Sequence, residues 1–208
     1  MERTSTASRE RILKVAEQMF AEEGFDRARV ELIAAKAGVN KALIYYYFKS
    51  KEEMLDRIVE QIIEEGRALQ ETVLQEMGEA PTGEPVPEEL YKKGLAKALE
   101  MLERRKDVLN IVYMQALKKQ ESKNPLFRYF DSTLQMPLFP GEHAARPADR
   151  VALSIQTFYL GFLPLLCFVL LNEKWCQHYH VPLEEAKARF LDRFYHEFYV
   201  DTILRMVK

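Results

Sequence analysis

Residues Val30–Phe48 read VELIAAKAGVNKALIYYYF, two short helical patterns separated by a tight turn at Gly38. That is the outline of a helix-turn-helix. Such a motif needs a small residue where its helices cross, a residue tolerant of positive φ in the turn, and apolar residues that lock the second helix onto the first. Ala34, Gly38, Val39 and Ile44 supply these in order. Asn40 is placed to cap the second helix. This leaves Lys41, Ala42, Leu43, Tyr45, Tyr46 and Tyr47 near its outward N-terminal end, the end that enters a major groove. Three consecutive tyrosines cannot all face one way on a helix, so at least one aromatic here, Tyr45 or Phe48, is expected in the core.

Charge supports the same reading. The chain of 208 residues has a formal net charge of −2, so it is no polycation, and any contact with double-stranded DNA must come from a local patch. Arg27, Arg29, Lys36, Lys41, Lys49 and Lys51 cluster around the motif, with Glu31 opposing them. Cations beside helix N-termini suit phosphates, and tyrosines offer hydroxyls and flat faces to backbone or bases. The competing reading takes the tyrosines as core and the lysines as solvated surface.

Outward from the motif the patterns are helical. Ile12, Ala16, Met19 and Phe20 mark one helix face, with Ser8 expected as its N-cap and Gly24 as its stop. Ser50 and Glu53 form an S-x-x-E capping box opening a second long helix towards Met77. Pro81, Gly83, Pro85 and Pro87 then break the pattern over Gly78–Pro87. Helices are predicted over Glu88–Glu103, Lys106–Lys118 and Pro125–Leu134, followed by another break at Pro137, Pro140 and Gly141. After Pro147 comes a long apolar helix interrupted at Gly161 and Pro164, and a last helix over Leu183–Met206. No strand alternation or internal repeat is evident. The expected fold is all-α, with a helix-turn-helix domain over 1–50 and a larger helical domain over 51–208.

A composition of 48% hydrophobic and 30% charged residues reads as an ordinary globular protein. The two cysteines, Cys167 and Cys176, give neither a disulfide framework nor a paired zinc signature, and a reducing cytoplasm is expected. Met1–Arg11 is polar and predicts no secretory leader. The apolar run Phe158–Leu171 is shorter than a bilayer span needs, so a buried helix and no membrane partner are expected.

The stretch GFDRARVELIAAKAGVNKALIYYYFKSKEEML closely resembles the N-terminal signature of the TetR family. The resemblance covers Ser8–Leu55 and rests most on Ile33-Ala34, Ala37-Gly38-Val39, Tyr45-x-Tyr47-Phe48 and Ser50-Lys51-Glu52. It implies a three-helix DNA-binding domain, a fourth helix linking it to a ligand-binding domain, and homodimerisation through the last two helices. Two residues depart from the family pattern. Arg29 stands where threonine is usual and would replace a hydroxyl–phosphate contact with a charged one, and Ala42 stands where glycine is usual and adds a methyl close to DNA. Lys51 and Tyr47 are expected on phosphates, with Lys41, Ala42, Leu43 and Tyr46 nearest the bases.

In the C-terminal part, Tyr113, Phe127, Phe130, Phe158, Phe162 and Trp175 are candidates to line a pocket for a small-molecule effector. No Asp or Glu occurs over Val151–Leu171, which favours a neutral or anionic lipophilic molecule. Phe190, Leu191, Phe194 and Phe198, with Tyr195, make a stripe wide enough to suggest a dimer interface. Cys176, His178 and His180 alternate at a spacing that does not gather metal ligands on a helix, and His143 and His196 show no catalytic partner. No nucleophile elbow, phosphate loop or paired acid/base motif appears, so neither an enzyme nor a cofactor or metal is expected. The leading expectation is a ligand-responsive repressor acting as a dimer on a palindromic operator. An activator or DNA-organising protein of the same fold stands second, and a helical lipid-binding protein third.

Overall fold

The computed structural model describes residues 2–77, 86–118, 124–134 and 150–204. Among them there is no strand, and the fold is all-α. The chain packs as two compact units, the first formed by residues 1–62 with 107–126, the second by 63–106 with 127–208.

In the first unit, α1 spans Glu2–Glu23. It begins six residues before Ser8, the expected cap, because neither Pro nor Gly lies upstream to stop a nucleated helix from propagating backwards. Its end is as expected: Gly24 adopts φ +82° and its N–H closes on the Phe20 carbonyl at 3.1 Å. Ile12, Leu13, Ala16, Met19 and Phe20 form the buried face of α1. In the same unit Ile33 of α2 (Val30–Lys36), Ile44 of α3 (Lys41–Tyr47), and Met54 and Ile58 at the start of α4 (Lys51–Met77) are also fully buried. Removing each such side chain from water stabilises the unit by roughly 1.5–3 kcal/mol. From α6 (Lys106–Lys118), Val108, Leu109, Ile111 and Val112 are also buried.

The second unit contains the later turns of α4, α5 (Glu88–Arg104), most of α7 (Pro125–Leu134), and a continuous helical run from Arg150 to Tyr179. That run is α8 (Arg150–Gln156), a π-helical turn (Thr157–Phe162) and α9 (Leu163–Tyr179). Gly161 and Pro164 thus do not break the helix. Proline lacks an N–H and crowds the carbonyl four residues back, and the wider turn, whose Leu163 N–H reaches the Phe158 carbonyl, absorbs that defect. The helix over Val151–Tyr179 has 29 residues and is long and apolar enough, by length and composition, to cross a membrane. Its inner residues Phe162, Leu165, Leu166 and Val169 are buried within the unit.

His180 ends α9 in a left-handed conformation at φ 55°. The chain then turns into α10 (Leu183–Arg193) and a second π-helical segment (Phe194–Leu204). Gly161 admits that segment: a Cβ there would fall 2.3 Å from Cζ of Phe198. The breaks expected at Gly78–Pro87 and beyond Pro137 lie outside the described residues except for Val86 and Pro87, as do Met206 and His143.

Candidate nucleic-acid interface

The helix-turn-helix is assembled by local bonds that its residue types dictate. After α2, Ala37 N–H donates to the Ile33 carbonyl at 2.9 Å and Val39 N–H to the Ala34 carbonyl at 3.0 Å, while Gly38 takes φ +64°. An L side chain adopts that conformation only with strain. Asn40 is extended, and its Oδ1 accepts the Leu43 N–H at 2.8 Å, capping α3. Ile44 and Phe48 anchor α3 from beneath, at 0% and 1% exposure.

The opposite side of α3 faces solvent. Lys41, Ala42, Tyr45 and Tyr46 are exposed, Tyr46 by 77%, while Leu43 and Tyr47 are half-buried. The aromatic that turns inward is therefore Phe48, not Tyr45. Tyr47 packs edge-on against Tyr46 with centroids 5.0 Å apart, so the tyrosines brace each other. Asn40 has its carbonyl oxygen committed to the cap, which leaves its amide nitrogen for any other contact.

The basic face is more internally paired than its sequence suggests. Lys41 Nζ lies 2.5 Å from Glu31 Oε1 and 5.6 Å from the Tyr45 ring centroid. Its hydrogen bond with Glu31 raises the Lys41 pKa and lowers that of Glu31, so both stay charged. Lys36 pairs with Glu22 of α1 at 3.3 Å, an opposition invisible within the motif itself. Lys51 donates to the carbonyls of Phe25 at 2.7 Å and Asp26 at 3.2 Å and sits over the Phe25 ring at 4.8 Å. It therefore ties down the segment after α1, a structural task beside the phosphate contact expected of it. Arg29 precedes α2 without capping it and is exposed. At the next junction Ser50 Oγ accepts the Glu53 N–H at 3.2 Å, and Glu53 reaches back to the Lys49 N–H at 2.7 Å, one residue earlier than a capping box requires.

The residues expected to line an effector pocket are scattered. Phe162 borders an apolar cavity of about 70 Å³ with residues of α4, α5, α7 and α9. Phe130 and Phe158 stack beside Phe162, and Phe127 meets Phe158 at 5.7 Å, but none of these three borders the cavity. Trp175 borders a different, open groove of about 650 Å³ between α9 and α10. Tyr113 belongs to the first unit. Tyr91 and Tyr129 line the cavity and were missed; the only signal for them was the apolar face of α5 and α7.

Of the residues expected at a dimer interface, Phe194 and Phe198 are 5% and 3% exposed within their own chain, because Gly161 lets the Phe194–Leu204 segment pack closely. They have no surface to give to a second copy. Phe190 and Leu191 are half-buried, and Phe190 stacks on Phe168 with centroids 4.0 Å apart. The exposed apolar row lies instead along the Arg150–Tyr179 run: Val151, Ile155, Tyr159, Leu171, Trp175 and Tyr179.

Cys176 is buried while His178 and His180 are exposed, so these three are not gathered. His196 does have acidic neighbours, Glu88 and Asp192, each at 3.7 Å, but Lys92 already bridges both carboxylates at 2.7 Å.

A short helix, clamped from below and offering tyrosine, lysine and alanine outward next to a glycine turn, defines a helix-turn-helix protein. The family model described as "Bacterial regulatory proteins, tetR family" matches residues 12–58. Residues 12–58 of this chain are thus similar to the DNA-binding domain of TetR-family regulators. It is 44% identical over 55 residues to the HTH-type transcriptional repressor NicS of Pseudomonas putida, a stretch covering 26% of each chain. It is 34% identical over 108 residues to the HTH-type transcriptional repressor BepR of Brucella suis, covering 50% of this chain and 49% of that one. The chain spans between about a quarter and a half of the length of the curated relatives it matches. A solved transcriptional regulator of Aquifex aeolicus superposes with a TM-score of 0.62 and 25% identity, over 92% of this chain and 99% of that one.

Proposed function

We propose that this protein is a ligand-responsive transcriptional repressor that binds a palindromic operator in double-stranded DNA as a homodimer and is released by a small lipophilic effector. The observation that carries the reading is the outward face of α3, where Lys41, Ala42, Tyr45 and Tyr46 stand exposed on a helix whose other side is held by Ile44 and Phe48. Relatives named as repressors support the sign of the regulation. The cytoplasm is the compartment where such a protein meets its DNA.

Two features support the dimer and the coupling. Exposed apolar residues repeating every four positions over Val151–Tyr179 make a stripe that a monomer rarely leaves in water, and a second copy covers it. Helix α4 begins at the Ser50 cap next to α3, and its later residues Gly66, Leu69 and Val73 line the apolar cavity. An effector that moves α4 would change the separation of two recognition helices that must meet successive major grooves about 34 Å apart.

The test is selection of a binding site from random duplexes, followed by titration against the selected and scrambled sequences over a range of salt. Preference for the selected duplex, with affinity falling steeply as salt rises, supports the reading. Equal affinity for both duplexes overturns it. A reporter carrying the selected site then separates repression from activation.

A further inference from the structure

Resting on the reading of α3 as the helix that enters the major groove, we infer that α3 reads the C5-methyl groups of pyrimidines rather than the hydrogen-bond pattern of the bases. Ala42 and Tyr46 together make the apolar contact.

The side chains left free decide the mode of readout. Bases are told apart by paired hydrogen bonds chiefly through arginine or lysine on guanine and asparagine or glutamine on adenine. Helix α3 and its cap hold one residue of each kind, and both are engaged within the protein. Lys41 Nζ lies 2.5 Å from Glu31 Oε1. Asn40 Oδ1 accepts the Leu43 N–H at 2.8 Å, so this side chain does not offer adenine an oxygen and a nitrogen together. Arg29 and Lys49 are exposed but stand outside α3, the one before α2 and the other after Tyr47.

What remains exposed on α3 besides Lys41 is a methyl group and two phenol rings, those of Ala42, Tyr45 and Tyr46. A tyrosine hydroxyl both donates and accepts, and every base edge can answer it, so it discriminates poorly. The C5-methyl of thymine is the apolar group that a base pair presents in the major groove, and alanine methyls and aromatic rings are its partners.

Geometry selects Ala42 with Tyr46. Four positions apart, they lie one above the other on the same helix face. Ala42 is the second residue of α3, in the N-terminal turn that reaches base edges. Tyr46 is 77% exposed, and Tyr47 braces its ring edge-on at 5.0 Å, so the ring loses little freedom on contact. The Tyr45 ring instead has the Lys41 ammonium 5.6 Å from its centroid, a charged neighbour that suits a methyl group poorly. The same C5-methyl distinguishes 5-methylcytosine from cytosine, so this surface accepts either methylated pyrimidine.

The experiment uses the full chain and the duplex selected from random sequences. Thymines of one half-site are replaced singly by uracil, which removes the methyl and keeps every hydrogen-bonding group. They are also replaced by 5-methylcytosine paired with guanine, which keeps the methyl and changes those groups, with cytosine as the unmethylated control. At one or more thymines uracil is expected to lower affinity about fourfold, as loss of one buried methyl does. At the same positions 5-methylcytosine is expected to bind more tightly than cytosine by a similar factor. Tyr46→Phe is expected to keep the thymine-to-uracil ratio, whereas Tyr46→Ala and Ala42→Gly, checked for folding by circular dichroism, bring it towards one. A selected half-site without thymine, or one indifferent to uracil throughout, overturns the inference. So does 5-methylcytosine binding no better than cytosine, a ratio lost in Tyr46→Phe, or a ratio unchanged in both Tyr46→Ala and Ala42→Gly. The operator-binding reading survives each of these results; a selection that enriches no duplex removes that reading and this inference with it.

Discussion

The ammonium of Lys41, in the first turn of the recognition helix, lies 2.5 Å from the carboxylate of Glu31 on the helix before it. The pair spends on the protein a cation that the DNA would otherwise attract. Glu31→Gln is expected to release Lys41, to raise affinity for duplex DNA several-fold, and to steepen the dependence of log affinity on log salt by about one unit. Fluorescence anisotropy at four or five salt concentrations measures this. An unchanged slope would show that the released Lys41 ammonium displaces no counterion from the DNA.

Lys51 has two tasks, and they separate experimentally. Its hydrogen bonds to the carbonyls of Phe25 and Asp26 predict that Lys51→Ala lowers stability by about 1–2 kcal/mol. Its expected phosphate contact predicts a salt slope smaller by about one unit with sequence preference intact. Denaturant unfolding tests the first and DNA titration the second.

The fit of Gly161 against Phe198 predicts a strong local coupling. With Cζ of Phe198 at 2.3 Å from the position of an added Cβ, Gly161→Ala is expected to destabilise the chain by about 1–3 kcal/mol. In a Phe198→Leu background the same substitution is expected to cost less, and a double-mutant cycle reads the difference.

The two candidate dimer surfaces respond differently to a charge. Ile155→Asp, on the exposed row, is expected to give a folded monomer in sedimentation at micromolar concentration. Phe194→Asp, buried at 5% exposure, is expected to unfold the chain instead. An Ile155→Asp protein that remains dimeric would remove this row from the interface.

Acid stability depends in part on Glu76. Hydrogen bonds from Lys93 and Lys97 hold its carboxyl at about 2, below the ordinary 4.5. A carboxylate depressed in the folded state stabilises it above the unfolded pKa, and that contribution is lost as pH falls through the folded pKa. Glu76→Gln is therefore expected to be less stable than the parent at neutral pH. The difference should narrow from pH 4.5 downwards and vanish below pH 2, as unfolding curves across that range would show.

The helix-turn-helix was legible in the residues because everything that shapes it acts within a few positions. Gly38 supplies the positive φ, Asn40 caps three residues ahead, and Ile44 and Phe48 fall one turn apart on the same face. The same holds for the stop at Gly24 and for Ser50 capping Glu53. Short-range bonds depend on residue type and spacing alone, and both are written in the chain. Partners distant in the chain came only with tertiary structure: Glu22 on Lys36, Phe25 beneath Lys51, Tyr199 on Tyr91. So did the inside and outside of the Val151–Tyr179 helix, since a segment apolar on every side has no pattern to say which face is covered. Phe198, expected at a dimer interface, is core, while Tyr159 and Leu160, in the run expected to form a buried helix, stand in solvent. That choice was made by the close approach at Gly161, a contact across 37 residues of chain that no local period encodes.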